Sequence, residues 1–141
     1  MTLSRGGKYL AILLVLFVIF GILLTPLSGI ETRPVADLTS FGLPLLSIFL
    51  VGLVLDFVSL LLLFSGRDAL ASILAIVGSA VFFPAFFADR TGNLSSQPAP
   101  TGIFYLEWAT AVISLVAILF ALKVRKESRS HLHDFKRGRG Y

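Results

Sequence analysis

Asp56 is the residue in this chain best placed to do chemistry, because it lies just past the middle of an apolar run from Phe41 to Phe64. If that run crosses a bilayer, a carboxylate at that depth costs at least ~2.5–3.5 kcal/mol on insertion scales. Such a residue is expected inside a helix bundle, either paired or protonated. Two roles follow. One is a proton or cation relay. The other is a hydrogen bond that holds helices together, with Ser59 or a neighbouring helix as partner. Lys8 and Arg67 are the nearest basic residues, and both flank the apolar runs rather than sharing the depth of Asp56. Glu107 is the second acid within an apolar run. It lies about one turn from the start of that run, where its head reaches the interface. The two acids fall at different depths, which weakens any acid–base mechanism built on the pair.

The remaining chemistry-bearing residues exclude more than they suggest. Cysteine is absent, so there is no disulfide, thiolate ligand or thiol nucleophile. The two histidines, His131 and His133, sit in the C-terminal tail, and two ligands without a third fix no metal geometry. The apolar runs contain no serine–histidine, paired-aspartate or metal-ligand signature, and no nucleotide loop appears. The expectation is a non-enzyme without metal or cofactor. Asn93-Leu94-Ser95 matches a glycosylation sequon, which has meaning only in a secretory-pathway protein.

The elements that position these residues are four apolar runs, at about 9–27, 41–64, 69–88 and 103–122. About 20 helical residues cross the ~30 Å hydrocarbon core, whereas barrel strands would be about 10 residues of alternating pattern. The hydrophobic fraction is 56%, the charged fraction 14% and the mean hydropathy +0.91, too apolar for a water-soluble core. The expected fold is therefore all-α: a polytopic integral membrane protein with four transmembrane helices in a small bundle. Residues 1–124 form this domain, and 125–141 form a basic tail. Arg5 and Lys8 before the first run resemble the start of a signal peptide. The length of the run and the lack of a clear cleavage site favour a retained helix.

Basic residues set the orientation. Arg5, Lys8, Arg67, Lys123, Arg125, Lys126, Arg129, Lys136, Arg137 and Arg139 fall on one side, and only Arg33 and Arg90 on the other. That 10:2 split places both termini in the cytoplasm and suits a plasma or cell membrane. The net charge of +4 is thereby a topology signal, and no nucleic-acid partner is expected. Ser65-Gly66-Arg67-Asp68 reads as a tight turn: Gly66 suits a left-handed helix cap and Asp68 the start of the next helix. The connectors 28–40 and 89–102 read as surface loops.

Small residues mark helix faces. Glu107, Thr110, Ser114, Ala117 and Ala121 recur at spacings of 3, 4, 3 and 4, a heptad seam. Ala71, Ala75 and Gly78 repeat the pattern in the third run, and Gly52, Asp56 and Ser59 in the second. Such stripes let helices pack closely in lipid, or dock another membrane subunit. Phe82, Phe83, Phe86, Phe87 and Trp108 gather near the outer end, with Pro84 expected to kink the third helix. These rings either pack and meet lipid, or hold a flat apolar ligand such as a quinone or pigment. Lys123, Arg125 and Lys126 begin a polybasic tail attracted to anionic lipid headgroups. The function that fits is a non-catalytic accessory subunit of a larger membrane complex. The alternatives are a small oligomeric transporter or channel using Asp56, and a quinone-, pigment- or lipid-binding membrane protein.

Overall fold

The computed structural model describes residues 2–138. The chain runs through five α-helices: α1 (Arg5–Leu23), α2 (Gly42–Phe64), α3 (Asp68–Ala80), α4 (Phe82–Arg90) and α5 (Thr101–Arg137). No β-strand occurs among the described residues. Because α3 and α4 continue one path, four stretches are long and apolar enough to cross a membrane: Arg5–Leu23, Gly42–Phe64, Asp68–Arg90 and Thr101–Arg137. That length and composition suit an integral membrane protein.

Local chemistry explains the helix ends. The Ser4 hydroxyl caps α1 by accepting from Gly7 N at 3.0 Å. The helix stops at Leu23, short of the expected Leu27, because a residue before proline is driven out of the helical region. Thr25 is accordingly extended (φ −88°, ψ 154°), and Pro26–Ser28 forms a 3-10 turn. Between α2 and α3, Gly66 adopts φ 73°, a conformation open to glycine. The break between α3 and α4 falls at Val81, where Pro84 lacks an N–H and crowds the carbonyl four residues earlier.

The last apolar run does not end the helix near Leu122. Nothing from Lys123 to Arg137 is proline or glycine, and α5 continues through this basic segment. The tail is therefore a helical arm as far as Arg137. Arg139 and the rest of the tail, 139–141, lie outside the described residues.

The core forms two layers. Near the chain termini, Leu10, Leu14 and Leu63 pack against Ala71, Ala75, Ala117 and Ala121. Near the long loops, Phe17, Phe49, Leu53, Phe82 and Phe86 fill the interior with rings. Between the layers α2 and α3 meet backbone to backbone. A Cβ added to Gly52 would stand 2.8 Å from the Gly78 carbonyl oxygen, and one added to Gly78 would stand 2.8 Å from that of Gly52.

Candidate functional site

That glycine contact seals Asp56. The carboxylate is fully buried, and the Cα of Gly78 leaves room for it where a Cβ would collide with Oδ1. Ser79 on α3 donates to Asp56 Oδ2 at 3.0 Å, while Oδ1 has no hydrogen-bond partner. Two further serines reach α3, one from α2 and one from α5. Ser59 donates to the Ala71 carbonyl at 2.6 Å, and Ser114 on α5 donates to the Ser79 carbonyl at 2.6 Å. Helix α3 thus receives polar contacts from α2 on one side and α5 on the other. Ser59 is not bonded to Asp56: its hydroxyl is used on α3 instead.

The seam of α5 faces inward throughout, with Glu107, Thr110, Ser114, Ala117 and Ala121 all buried. Gly52, Ala71, Ala75 and Gly78 are buried in the opposing helices. Asp56 and Glu107 do not come together. Asp56 belongs to the α2–α3 contact, and Glu107 belongs to a charged cluster at the loop end.

Five charged side chains make up that cluster. Arg33 Nη2 and Nε lie 2.8 and 2.9 Å from the two Glu31 carboxylate oxygens, and Nη1 meets Asp89. Glu107 Oε1 stands 3.6 Å from Arg33 Nη2. Arg90 Nη2 lies 2.9 Å from Asp89 Oδ2 and also bonds Glu107. The Arg33, Glu31, Asp89 and Glu107 side chains are each no more than 7% exposed, so these are buried ion pairs and not surface ones. Burial opposes the charge of Arg33, but its bonds to Glu31 and Asp89 outweigh that and hold its pKa above the ordinary guanidinium value. The Arg90 guanidinium lies 4.6 Å from the Phe104 ring centre, and its buried Nε lacks a hydrogen-bond partner.

The loops hold the cluster in place. Thr39 N donates to the Leu94 carbonyl at 3.3 Å, Ser96 N to that of Asp37 at 3.2 Å, and Gln97 Nε2 to Asp37 Oδ2 at 2.6 Å. The first long loop is so tied to the second. Beneath them lies a partly open cavity of about 60 Å³. Leu46, Phe49, Phe82 and Ala85 wall it, Val35, Leu38 and Leu94 cover it, and Glu31, Arg33 and Glu107 supply its charged lining.

The aromatic residues divide. Phe82 and Phe86 are buried and meet at a tilt, with ring centres 5.7 Å apart. Phe86 also meets Trp108 edge-on at 5.0 Å. Phe87 and Trp108 are largely exposed, and Phe83 is intermediate. The rings fill the space between each other, and only Phe82 and Phe86 of this set reach the cavity. A cavity of ~150 Å³ takes a benzene ring. At about 60 Å³ this one is too small for a quinone or pigment ring.

Glu31, Arg33, Asp89 and Arg90 carry no motif. In the sequence the arginines count only as the two basic residues of the outer loops, and their partners are up to 74 positions away (Arg33 to Glu107). The one available signal is the mixed charge of those loops. No group of histidine, cysteine and acidic residues among the described residues is arranged to hold a metal. Lys123, Arg125 and Lys126 begin the helical arm of α5.

Residues 7–135 match DUF8051, a domain of unknown function, and the chain belongs to that family. No curated protein and no solved structure matches it.

Proposed function

We propose that the chain is a non-catalytic accessory subunit of a larger membrane complex, set in the plasma membrane with both termini in the cytoplasm. The observation that carries this reading is the arm of α5. From Lys123 to Arg137 the helix runs about 22 Å beyond the apolar seam, at ~1.5 Å per residue. Val124 is its last buried residue. Beyond it Leu132 and Phe135 stand exposed, three apart and so on one face, among Arg129, Lys136 and Arg137.

The arm has two zones. Lys123, Arg125 and Lys126 lie at the root, within reach of anionic headgroups. The distal residues lie beyond the ~8 Å over which surface charge acts at physiological salt. Lipid attraction accounts for the root. Leu132, held farther out, is better matched to a protein surface.

Asp56 supports the same reading. It is enclosed, bonded to Ser79, and placed where α2 and α3 touch, as a helix-packing group would be. A transporter working through Asp56 would need that contact to open.

The test is native mass spectrometry of the protein extracted gently at its natural abundance. Reproducible co-release with other membrane subunits is expected, and Leu132→Ala with Phe135→Ala should weaken it. A lone monomer or a homo-oligomer would defeat the proposal. Transport would then be measured directly, with Asp56→Asn as the deciding variant.

A further inference from the structure

The loop-end cavity has apolar walls and a charged roof, and in that roof the acids outnumber the bases. Glu31, Asp89 and Glu107 contribute three carboxyl groups against the two guanidinium groups of Arg33 and Arg90, and Glu107 also meets Asp89. Of the charged groups that line the cavity, two are acids and one is Arg33. Arg33 is already committed on both sides, to Glu31 and to Asp89, and has no guanidinium edge left for an anionic ligand. Arg90, the group with an unpaired Nε, does not line the cavity and lies against Phe104. The roof therefore favours a cation that can donate hydrogen bonds.

The walls limit what such a cation carries. Leu46, Phe49, Phe82 and Ala85 offer no polar side chain, so the buried part of the ligand must be apolar. The volume of about 60 Å³ excludes a ring but admits a few methylene groups. The cavity is partly open and sits at the loop end of the bundle, beside the ends of the apolar helices.

We propose that this cavity binds an amine-headed amphiphile from the surrounding bilayer, its ammonium group against Glu31 and Glu107 and its chain between Phe49, Phe82 and Ala85. The site is independent of the α5 arm and does not depend on a partner subunit. Its occupant neutralises the surplus carboxylate and fills the void beneath the loops.

The experiment uses the purified full chain in a non-ionic detergent, with octylammonium, octanol and octanoate at matched mole fraction. Native mass spectrometry reads the adduct, and thermal unfolding reads stabilisation. Octylammonium is expected to give a one-to-one adduct and a higher midpoint, with about tenfold preference over octanol, one ion pair's worth of selectivity. Octanoate should bind least. Ala85→Phe fills the cavity and should abolish the adduct. If that variant does not fold, Leu46→Phe fills the same space from α2. Glu31→Gln, in a loop outside the apolar core, should remove most of the preference for the amine. Equal binding of all three probes would overturn the proposal, since it would mean simple partitioning, with a proton in place of an ammonium group balancing the roof. No adduct at all would also overturn it, as would an adduct undiminished in both cavity-filling variants.

Discussion

Gly78→Ala tests the contact on which the placement of Asp56 depends. A Cβ at position 78 would stand 2.8 Å from the Gly52 carbonyl oxygen and collide with the Asp56 carboxylate. Carbon and carbonyl oxygen sit comfortably at about 3.3–3.6 Å, so α2 and α3 must part by at least about half an ångström. Overpacking of this kind costs about 1–3 kcal/mol. The same movement draws Ser79 away from Asp56, whose bond is 3.0 Å long. A side-chain bond between membrane helices is worth ~0.6 kcal/mol on average. Against these stands up to ~1 kcal/mol gained because alanine is a better helix former than glycine. The net expectation is a loss of about 1–3 kcal/mol. It is measured by dodecyl sulfate unfolding in mixed micelles, followed by helical circular dichroism. Gly102→Ala is the control: a Cβ there meets nothing within 4 Å, and its stability should be unchanged or slightly raised. If Gly78→Ala unfolds at the same detergent fraction as the parent, or if Gly102→Ala loses as much, the backbone contact is not what holds the helices together.

Two further substitutions separate the polar groups. Asp56→Asn keeps an acceptor for Ser79 and puts an amide in place of Oδ1, which lacks a partner. It should stay within about 1 kcal/mol of the parent in the same titration, and a loss above about 2 kcal/mol would show that the acid itself is needed. Arg33→Met leaves Glu31, Asp89 and Glu107 facing one another with a single arginine. Breaking buried pairs in this way costs about 3 kcal/mol. The loss should appear as faster amide exchange at Thr39 and Ser96, whose N–H groups tie the two loops; unaltered exchange would mean that the cluster does not hold them.

The helical framework was legible because lipid imposes a length and a composition on anything that crosses it. Runs of about 20 apolar residues mark the four long helices, and Pro84 marks the place where the third is interrupted. The small residues of α5 were legible for a related reason. Close approach in lipid needs small side chains, so a spacing of 3 and 4 marks the face that is buried. The arm was not legible as a helix, since hydropathy reports where apolar residues end and says nothing of where helical hydrogen bonding ends. The charged cluster was legible least. Arg33 and Glu107 meet only because two irregular loops fold over the bundle, and loop conformation leaves no periodic trace. The single-residue signal at Asp56 pointed to an unusual depth, but not to Ser79 as the group that meets it.

The loop end and the Asp56 contact represent different ways of burying charge. Asp56 is one acid, held by one serine and sealed by two glycines. Its cost is confined to one group and is offset by helix packing on both sides. The loop-end cluster gathers five charged groups, four of them buried, and two loops are ordered around it. Well-packed apolar residues in place of such a network are often neutral or stabilising by about 1–4 kcal/mol. A closure built for stability alone would therefore be apolar, and it would leave no cavity of 60 Å³ beneath it. The combination of an acid-rich roof and an unfilled apolar space is what a binding site requires and what a lid does not. That contrast is why we assign ligand binding to the loop end and packing to Asp56, although Asp56 is the more conspicuous residue in the sequence.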